Sequence, residues 1–337
     1  MRRWHLVGVL ALIASGSPPA TSPVVNDPPA GLLAVTDELS RDVRLVDAQT
    51  GSIVATMPVG ERPRGIHANS SGTRLYVALS DDRPNTATGR DAIAMIDVAR
   101  RQIVARLPGG TDPEQFALTP DDRRVYASNE DAGTAAVLDL ATGRTIATLV
   151  VGLEPEGVVA SPDGRWVYVT AETSNSVSVI DTKRDSVVST FLVDVRPRAA
   201  AWSPDGARVY VTNEISGTLA VIDGRTHELL ATTPVDHGQG RPVGVVVSPD
   251  GRRIYVANGR SNRVSIIDAK TLAETGTIPV GRRPWNLALS RNGRWLYTAN
   301  GMSDDVSVID LGASQVVKTF SVGKRPWGVA LLEGAAR

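Results

Sequence analysis

Short apolar or alternating runs, each closed by a polar turn, recur along the chain in a fixed order. In the clearest copy, residues 157–160 are followed by the turn Ser161-Pro162-Asp163-Gly164, then by runs at 165–170, 176–181 and 186–192. Runs this short, rich in Val, Ile, Thr and Tyr and interrupted by Pro, Asp and Gly, predict strands rather than helices. Each copy therefore supplies four strands, here a, b, c and d.

The copies are spaced regularly. Pro63, Pro113, Pro155, Pro197, Pro242, Pro284 and Pro326 open seven strands a, and successive prolines lie 50, 42, 42, 45, 42 and 42 residues apart. Asp47, Asp97, Asp139, Asp181, Asp223, Asp268 and Asp310 end seven strands c. Four antiparallel strands repeated at this period predict the blades of a propeller. The first copy lacks a strand a, whereas Pro326 opens a strand a after which no b, c or d follows. One blade is thus expected to be shared between the two ends, which closes the ring and removes unpaired sheet edges. The expected fold is all-β: a single seven-bladed β-propeller over 31–333, four antiparallel strands per blade, with the N- and C-terminal segments completing one blade.

The turn and strand-end residues have a structural explanation. Pro, Asp and Gly suit the a-to-b hairpin, and an Asp ending strand c can accept hydrogen bonds from the next turn. The variable polar residues fall on the opposite face, where the d-to-a crossings and b-to-c loops meet. Arg64, Glu114, Glu156, Arg196, Arg198, Arg241, Arg283, Trp285 and Trp327 come from the crossings. Glu130, Glu172, Glu214, Asn258 and Asn300 come from the ends of strands b. These are the candidate ligand- or partner-binding residues. The second and third crossings are acidic, the others carry arginine, and the last two add tryptophan. Such a face suits a small anionic ligand or a charged loop of a partner, with mutual ion pairing as the alternative. Replacing Arg64 and Arg198 together by alanine is expected to weaken binding while leaving stability nearly unchanged. Two insertions, residues 80–91 and 236–240, project from the same face.

The 36 basic and 36 acidic side chains cancel, which argues against a nucleic-acid footprint. Arg2-Arg3 followed by an apolar run and small residues predicts a secretory signal at 1–22 and a leader at 23–30. The run is too short for a permanent bilayer span, so a periplasmic or secreted protein without a stable membrane span is expected. With no cysteine and four histidines, the chain offers no thiolate nucleophile and no Cys-x-x-Cys-His attachment site. It also shows no nucleophile elbow, phosphate-binding loop or zinc-spaced cluster, and no cofactor or metal is expected. Glu130, Glu172 and Glu214 are the carboxylates considered for acid/base work.

Tyr168-Val169-Thr170, Tyr210-Val211-Thr212-Asn213 and Tyr255-Val256-Ala257-Asn258 resemble the signature of the YVTN-repeat propellers over residues 31–332. The series Arg62-Pro63-Arg64-Gly65, Asp112-Pro113-Glu114-Gln115, Glu154-Pro155-Glu156-Gly157, Arg196-Pro197-Arg198 and Arg325-Pro326-Trp327-Gly328 is more specifically similar to the PQQ-dependent catabolism-associated β-propeller proteins. That resemblance implies a non-enzymatic periplasmic binding or accessory protein, working beside a quinoprotein alcohol dehydrogenase or its cytochrome c partner. Glu114 and the Glu154-Pro155-Glu156 motif are the interaction candidates it carries over, while Trp285 and Asn286 depart from the pattern. A lactonase-like hydrolase and a structural or surface-adhesion propeller are the alternatives on the same fold.

Overall fold

The computed structural model describes Met1, residues 27–81 and residues 90–334. The signal call at 1–22, most of the leader and the tip of the 80–91 insertion lie outside the described residues. Each of the seven regularly spaced prolines opens an innermost strand. Blade 1 comprises Pro63–Ala68, Arg74–Leu79, Ala92–Asp97 and Gln102–Leu107, and blades 2 to 6 start at Pro113, Pro155, Pro197, Pro242 and Pro284. Blade 7 pairs the innermost strand Pro326–Glu333 with Gly31–Asp37, Asp42–Asp47 and Ile53–Pro58. The seven sheets are four-stranded and antiparallel, and the ring is closed by pairing across the two ends of the chain, with Leu33 opposite Leu331 and Val35 opposite Val329. Among the described residues no helix is long and apolar enough to cross a membrane.

Apolar side chains of each blade pack on the next, so the core consists of seven wedges rather than one centre. The motif tyrosines fill these wedges. Tyr126 packs against Val158 and Val169 of blade 3, Tyr168 against Trp202 and Val209 of blade 4, and Tyr210 against Val245 and Ile254 of blade 5. Burying an aromatic ring of this size contributes on the order of 2–3 kcal/mol. The hydroxyl two positions later stitches neighbouring blades. Ser128 donates to the Glu156 carbonyl at 2.8 Å, Thr170 to that of Arg198 at 3.1 Å and Thr212 to that of Val243 at 2.6 Å, and in blade 7 Thr36, two positions after Ala34, donates to that of Arg64 at 2.8 Å. In blade 5 the same position is Ala257, which has no hydroxyl to give.

The turns carry the predicted chemistry. Ser161 donates to Asp163 Oδ1 at 2.6 Å, Asp163 accepts from the Arg165 N–H, and Gly164 takes a left-handed φ of 68°. Each strand-c aspartate accepts backbone N–H groups from the following turn, as Asp223 does from Arg225 and Thr226. These hydrogen bonds hold Asp139 and Asp223 below the usual carboxylate range.

The closing blade contains one costly residue. Asp37 is fully buried against Gly323, beside Asp42, with Arg44 Nε at 3.4 Å as counter-charge. Burial first, and the charge of Asp42 second, push its carboxyl up to about 8 from 3.8. The folded chain thus keeps a proton that the unfolded chain releases, so stability falls as pH rises from the usual carboxylate range to about 8. Asp37→Asn is expected to flatten that slope and to raise the melting temperature at pH 8 by a few degrees. Thermal unfolding of both proteins across this range checks it.

Candidate functional site

Seven crossings converge on one end of the axis, and each contributes two side chains. The residue before the proline takes a left-handed φ in every blade: Arg62, Asp112, Glu154, Arg196, Arg241, Arg283 and Arg325 lie between 36° and 64°. None is glycine, and a residue preceding proline rarely adopts this geometry, so the backbone is strained seven times at one rim. Each conformation is secured by one hydrogen bond, from the N–H of the residue ending strand b to the carbonyl of the pre-proline residue. Glu130 donates in this way to Asp112 at 3.1 Å, Glu172 to Glu154 at 2.8 Å, Glu214 to Arg196 at 2.8 Å and Gly301 to Arg283 at 2.9 Å.

The residue after each proline points inward, because the register slips at the start of strand a, as between Pro155 and Val158. Arg64, Glu114, Glu156, Arg198, Val243, Trp285 and Trp327 thereby form one layer across the axis. Arg64 Nη1 meets Glu114 Oε2 at 2.9 Å, and Arg198 Nη2 meets Glu156 Oε1 at 3.0 Å. The Arg64 guanidinium lies 5.4 Å from the Trp327 ring, that of Arg198 lies 5.6 Å from Trp285, and the two indoles stack at 6.5 Å. Glu114 is fully buried and Trp327 2% exposed, so the layer closes the axis. Beneath it lies a cavity of about 140 Å³ lined by His67, Gln115, Val158 and Leu287.

Above this layer the ion pairs continue. Arg62 reaches Asp112 at 3.2 Å and Glu114 at 3.1 Å, and Arg325 reaches Glu38 at 3.2 Å. Arg196 reaches Glu172 at 2.8 Å, Arg198 also pairs with Glu172, and Glu214 is shared by Arg196, Arg198 and Arg283. Of the residues singled out in the sequence, twelve meet at this mouth. Asn258 and Asn300 do not: both are fully buried within their blades, where they donate to Ser265 at 2.8 Å and to Ser307 at 2.9 Å. Arg62, Asp112 and Glu38 complete the mouth, and Gln115 and His67 lie in the cavity below. Gly259 and Gly301, which stand where other blades carry Glu130, Glu172 and Glu214, were legible from the repeat alignment, although they bring no side chain.

The acidic sector is chemically unusual. Asp112, Glu114 and Glu130 present oxygens within 4.8 Å of one another, the one such group among the described residues able to hold a metal ion. Burial first, then the charges of Glu114 and Glu156, push half-buried Glu130 up to about 9. Burial and then Glu114 also raise Asp112. Glu156, buried in the axial layer, is pushed up to about 7 chiefly by burial. A carboxyl that keeps its proton beside one that is ionised is an acid/base pair. Glu172 and Glu214, by contrast, are tied to arginines. A groove of about 860 Å³ lies on the opposite face, but its Asp205 and Asp250 already accept from their own turns.

Residues 191–321 match the family described as seven-bladed β-propeller lactonases. That span runs from the end of blade 3 through blade 6, and so takes in Arg196, Arg198, Glu214, Arg241, Arg283 and Trp285. No curated protein matches. Among solved structures, a candidate 6-phosphogluconolactonase from Bacteroides uniformis superposes with a TM-score of 0.76 at 19% identity, covering 90% of this chain and 99% of that one. A second candidate 6-phosphogluconolactonase, from Bacteroides fragilis, gives 0.74 at 16% identity over 92% and 99%. Hydrazine synthase of Kuenenia stuttgartiensis gives 0.75 at 20% identity over 88% and 99%. At these identities the likeness is one of fold.

Burial corrects one expectation. The Arg198 side chain is 7% exposed and holds Glu156 and Glu172, both nearly inaccessible, so its removal strands buried charge rather than an open binding surface. Arg198→Ala is expected to cost about 3–5 kcal/mol, and Arg325→Ala, whose side chain is 46% exposed, under about 1 kcal/mol. Chemical denaturation of the two variants checks the contrast.

Proposed function

We propose that the chain is a lactonase-like hydrolase whose reaction takes place at the acidic sector of the axial mouth. The observation that carries this reading is Glu130: a half-buried carboxyl raised to about 9, within 4.8 Å of Asp112 and Glu114. Support from outside the site comes from the lactonase family match over residues 191–321 and from the shared fold of two candidate 6-phosphogluconolactonases.

Opening a lactone needs a base to take a proton from water, and an acid to protonate the ring oxygen as its bond to the acyl carbon breaks. In this reading Asp112 is the base. Arg62 at 3.2 Å favours its charged form, while burial and Glu114 make it more basic than an ordinary aspartate. Water adds to the acyl carbon, Asp112 takes its proton, and Glu130 gives its own proton to the departing ring oxygen. The product is the hydroxy acid, and transfer of the proton from Asp112 back to Glu130 restores the site. A divalent cation held by the same three carboxylates would compete with the proton on Glu130, so added metal is expected to inhibit at neutral pH.

A second reading is favoured by apolar side chains around the same rim. Leu39 is 64% exposed, Leu153 62% and Met302 63%, which suits a macromolecular partner. Under that reading the chain is an exported, non-enzymatic accessory protein that docks a quinoprotein dehydrogenase or its cytochrome c.

The deciding experiment is a pH-stat assay of the purified protein with unsubstituted and sugar δ-lactones. Glu130→Gln is expected to lower turnover at least about 100-fold with little change in melting temperature. Wild-type turnover should fall as pH rises through about 9, because the acid form of Glu130 is lost there. Absence of turnover, together with binding of a dehydrogenase or cytochrome, would replace the hydrolase by the accessory reading.

A further inference from the structure

The mouth has one sector in which the repeat leaves positive charge uncovered. Around the ring, the residues ending strands b are Glu38, Ser80, Glu130, Glu172, Glu214, Gly259 and Gly301. Blades 5 and 6 alone bring no side chain, and the crossings beside them bring Arg241 and Arg283. Neither glycine has a left-handed backbone, so conformation does not demand glycine there. Space does. A Cβ on Gly259 would stand 3.2 Å from the Arg283 side chain, and one on Gly301 would stand 2.5 Å from Trp285 Nε1. The arginine and the indole therefore lie across ground that carboxylates occupy in blades 2, 3, 4 and 7.

The charge at this place is unbalanced. Glu214 is the one carboxylate that Arg283 pairs with, and it is shared with Arg196 and Arg198, which also hold Glu172 and Glu156. Arg241 is partly exposed and makes no ion pair among the described residues. Arg283 lies 4.3 Å over the Trp285 ring, which fixes its plane without supplying an anion. Burial, and then the positive charges of Arg198 and Arg241, hold Arg283 below the ordinary arginine range despite Glu214. An added negative charge would relieve Arg241 and Arg283, and guanidinium groups favour planar or tetrahedral oxyanions.

We infer that the sector above Gly259 and Gly301, bounded by Arg241, Arg283 and Trp285, seats an anionic group of the ligand, a carboxylate or a phosphate monoester. The inference rests on the hydrolase reading only for the identity of the molecule that carries this group. It places recognition in blades 5 and 6 and the proposed acid/base chemistry in blade 2.

The test is calorimetric titration of the full chain at low salt with methyl phosphate and with glucuronate, using glucose as the uncharged probe. The expected result is binding of at least one anion and none of glucose. Preference for methyl phosphate assigns a phosphate seat, and preference for glucuronate a carboxylate seat. Arg241→Ala is expected to weaken the preferred anion about tenfold or more, the loss of one charge-assisted hydrogen bond. Gly259→Glu restores the carboxylate found in the other blades and is expected to remove binding. Gly259→Ala, which only nudges a flexible arginine, should stay within about twofold of wild type, the loss being far below one hydrogen bond. Equal affinity in Arg241→Ala and wild type, or no anion binding by wild type, overturns the inference. The two readings fail separately: Glu130→Gln should abolish turnover of an uncharged lactone and leave anion binding intact.

Discussion

The antiparallel pairing of Gly31–Asp37 with Pro326–Glu333 holds the ring shut, and the mouth presupposes it. Each wedge of the core is built from two adjacent blades, so a single open joint would expose two apolar faces and two strand edges at once. The axial layer has the same dependence, because it takes one residue from every blade. Trp327 belongs to the strand that closes the ring, yet it stacks on Trp285 of blade 6 and lies beneath Arg64 of blade 1. Asp37, with its raised carboxyl, lies on the partner strand. The joint is thus both the most consequential contact in the molecule and one that holds a buried carboxyl in its protonated form.

Buried ions at the mouth are paired because leaving them single would cost several kcal/mol each. Pairing is not even around the ring. Acidic groups crowd blades 2 and 3, where repulsion and burial leave Glu130 protonated, and arginines outnumber their partners in blades 4 to 6. A molecule with an electrophilic centre and an anionic end would fit both excesses at once. Local imbalance within an overall neutral chain lets the site be selective without a long-range field.

Much of this was readable in the chain. The prolines marked the start of every inner strand because their fixed φ and missing N–H suit the first residue of a strand. Ser-Pro-Asp-Gly and the strand-c aspartates named their own turns. The threonine of Tyr-Val-Thr was visible as a motif, but its bond to the next blade's carbonyl was not, since that contact spans 28 residues for Thr170 and Arg198. Asn258 and Asn300 looked like surface groups; one residue of phase along a strand separates an outward from an inward side chain. The burial of Arg64 and Arg198 was also hidden, because the register slip that turns the post-proline residue toward the axis leaves no mark in composition. Glycine was hardest to weigh. At 259 and 301 its message is an omission, legible only against the same position in other blades.

The closed axial layer turns the molecule from a tube into a cup. With Glu114, Glu156 and Trp327 packed to near-complete inaccessibility, no passage among the described residues threads the axis from one face to the other. Whatever enters at the arginine rim must leave by the same opening, so arrival and departure share one path. For a reaction, product would have to clear the cup before the next substrate could settle. For a docked partner, the same geometry makes the rim a stopper: a protein seated there would control all traffic to the floor of the cup without touching it.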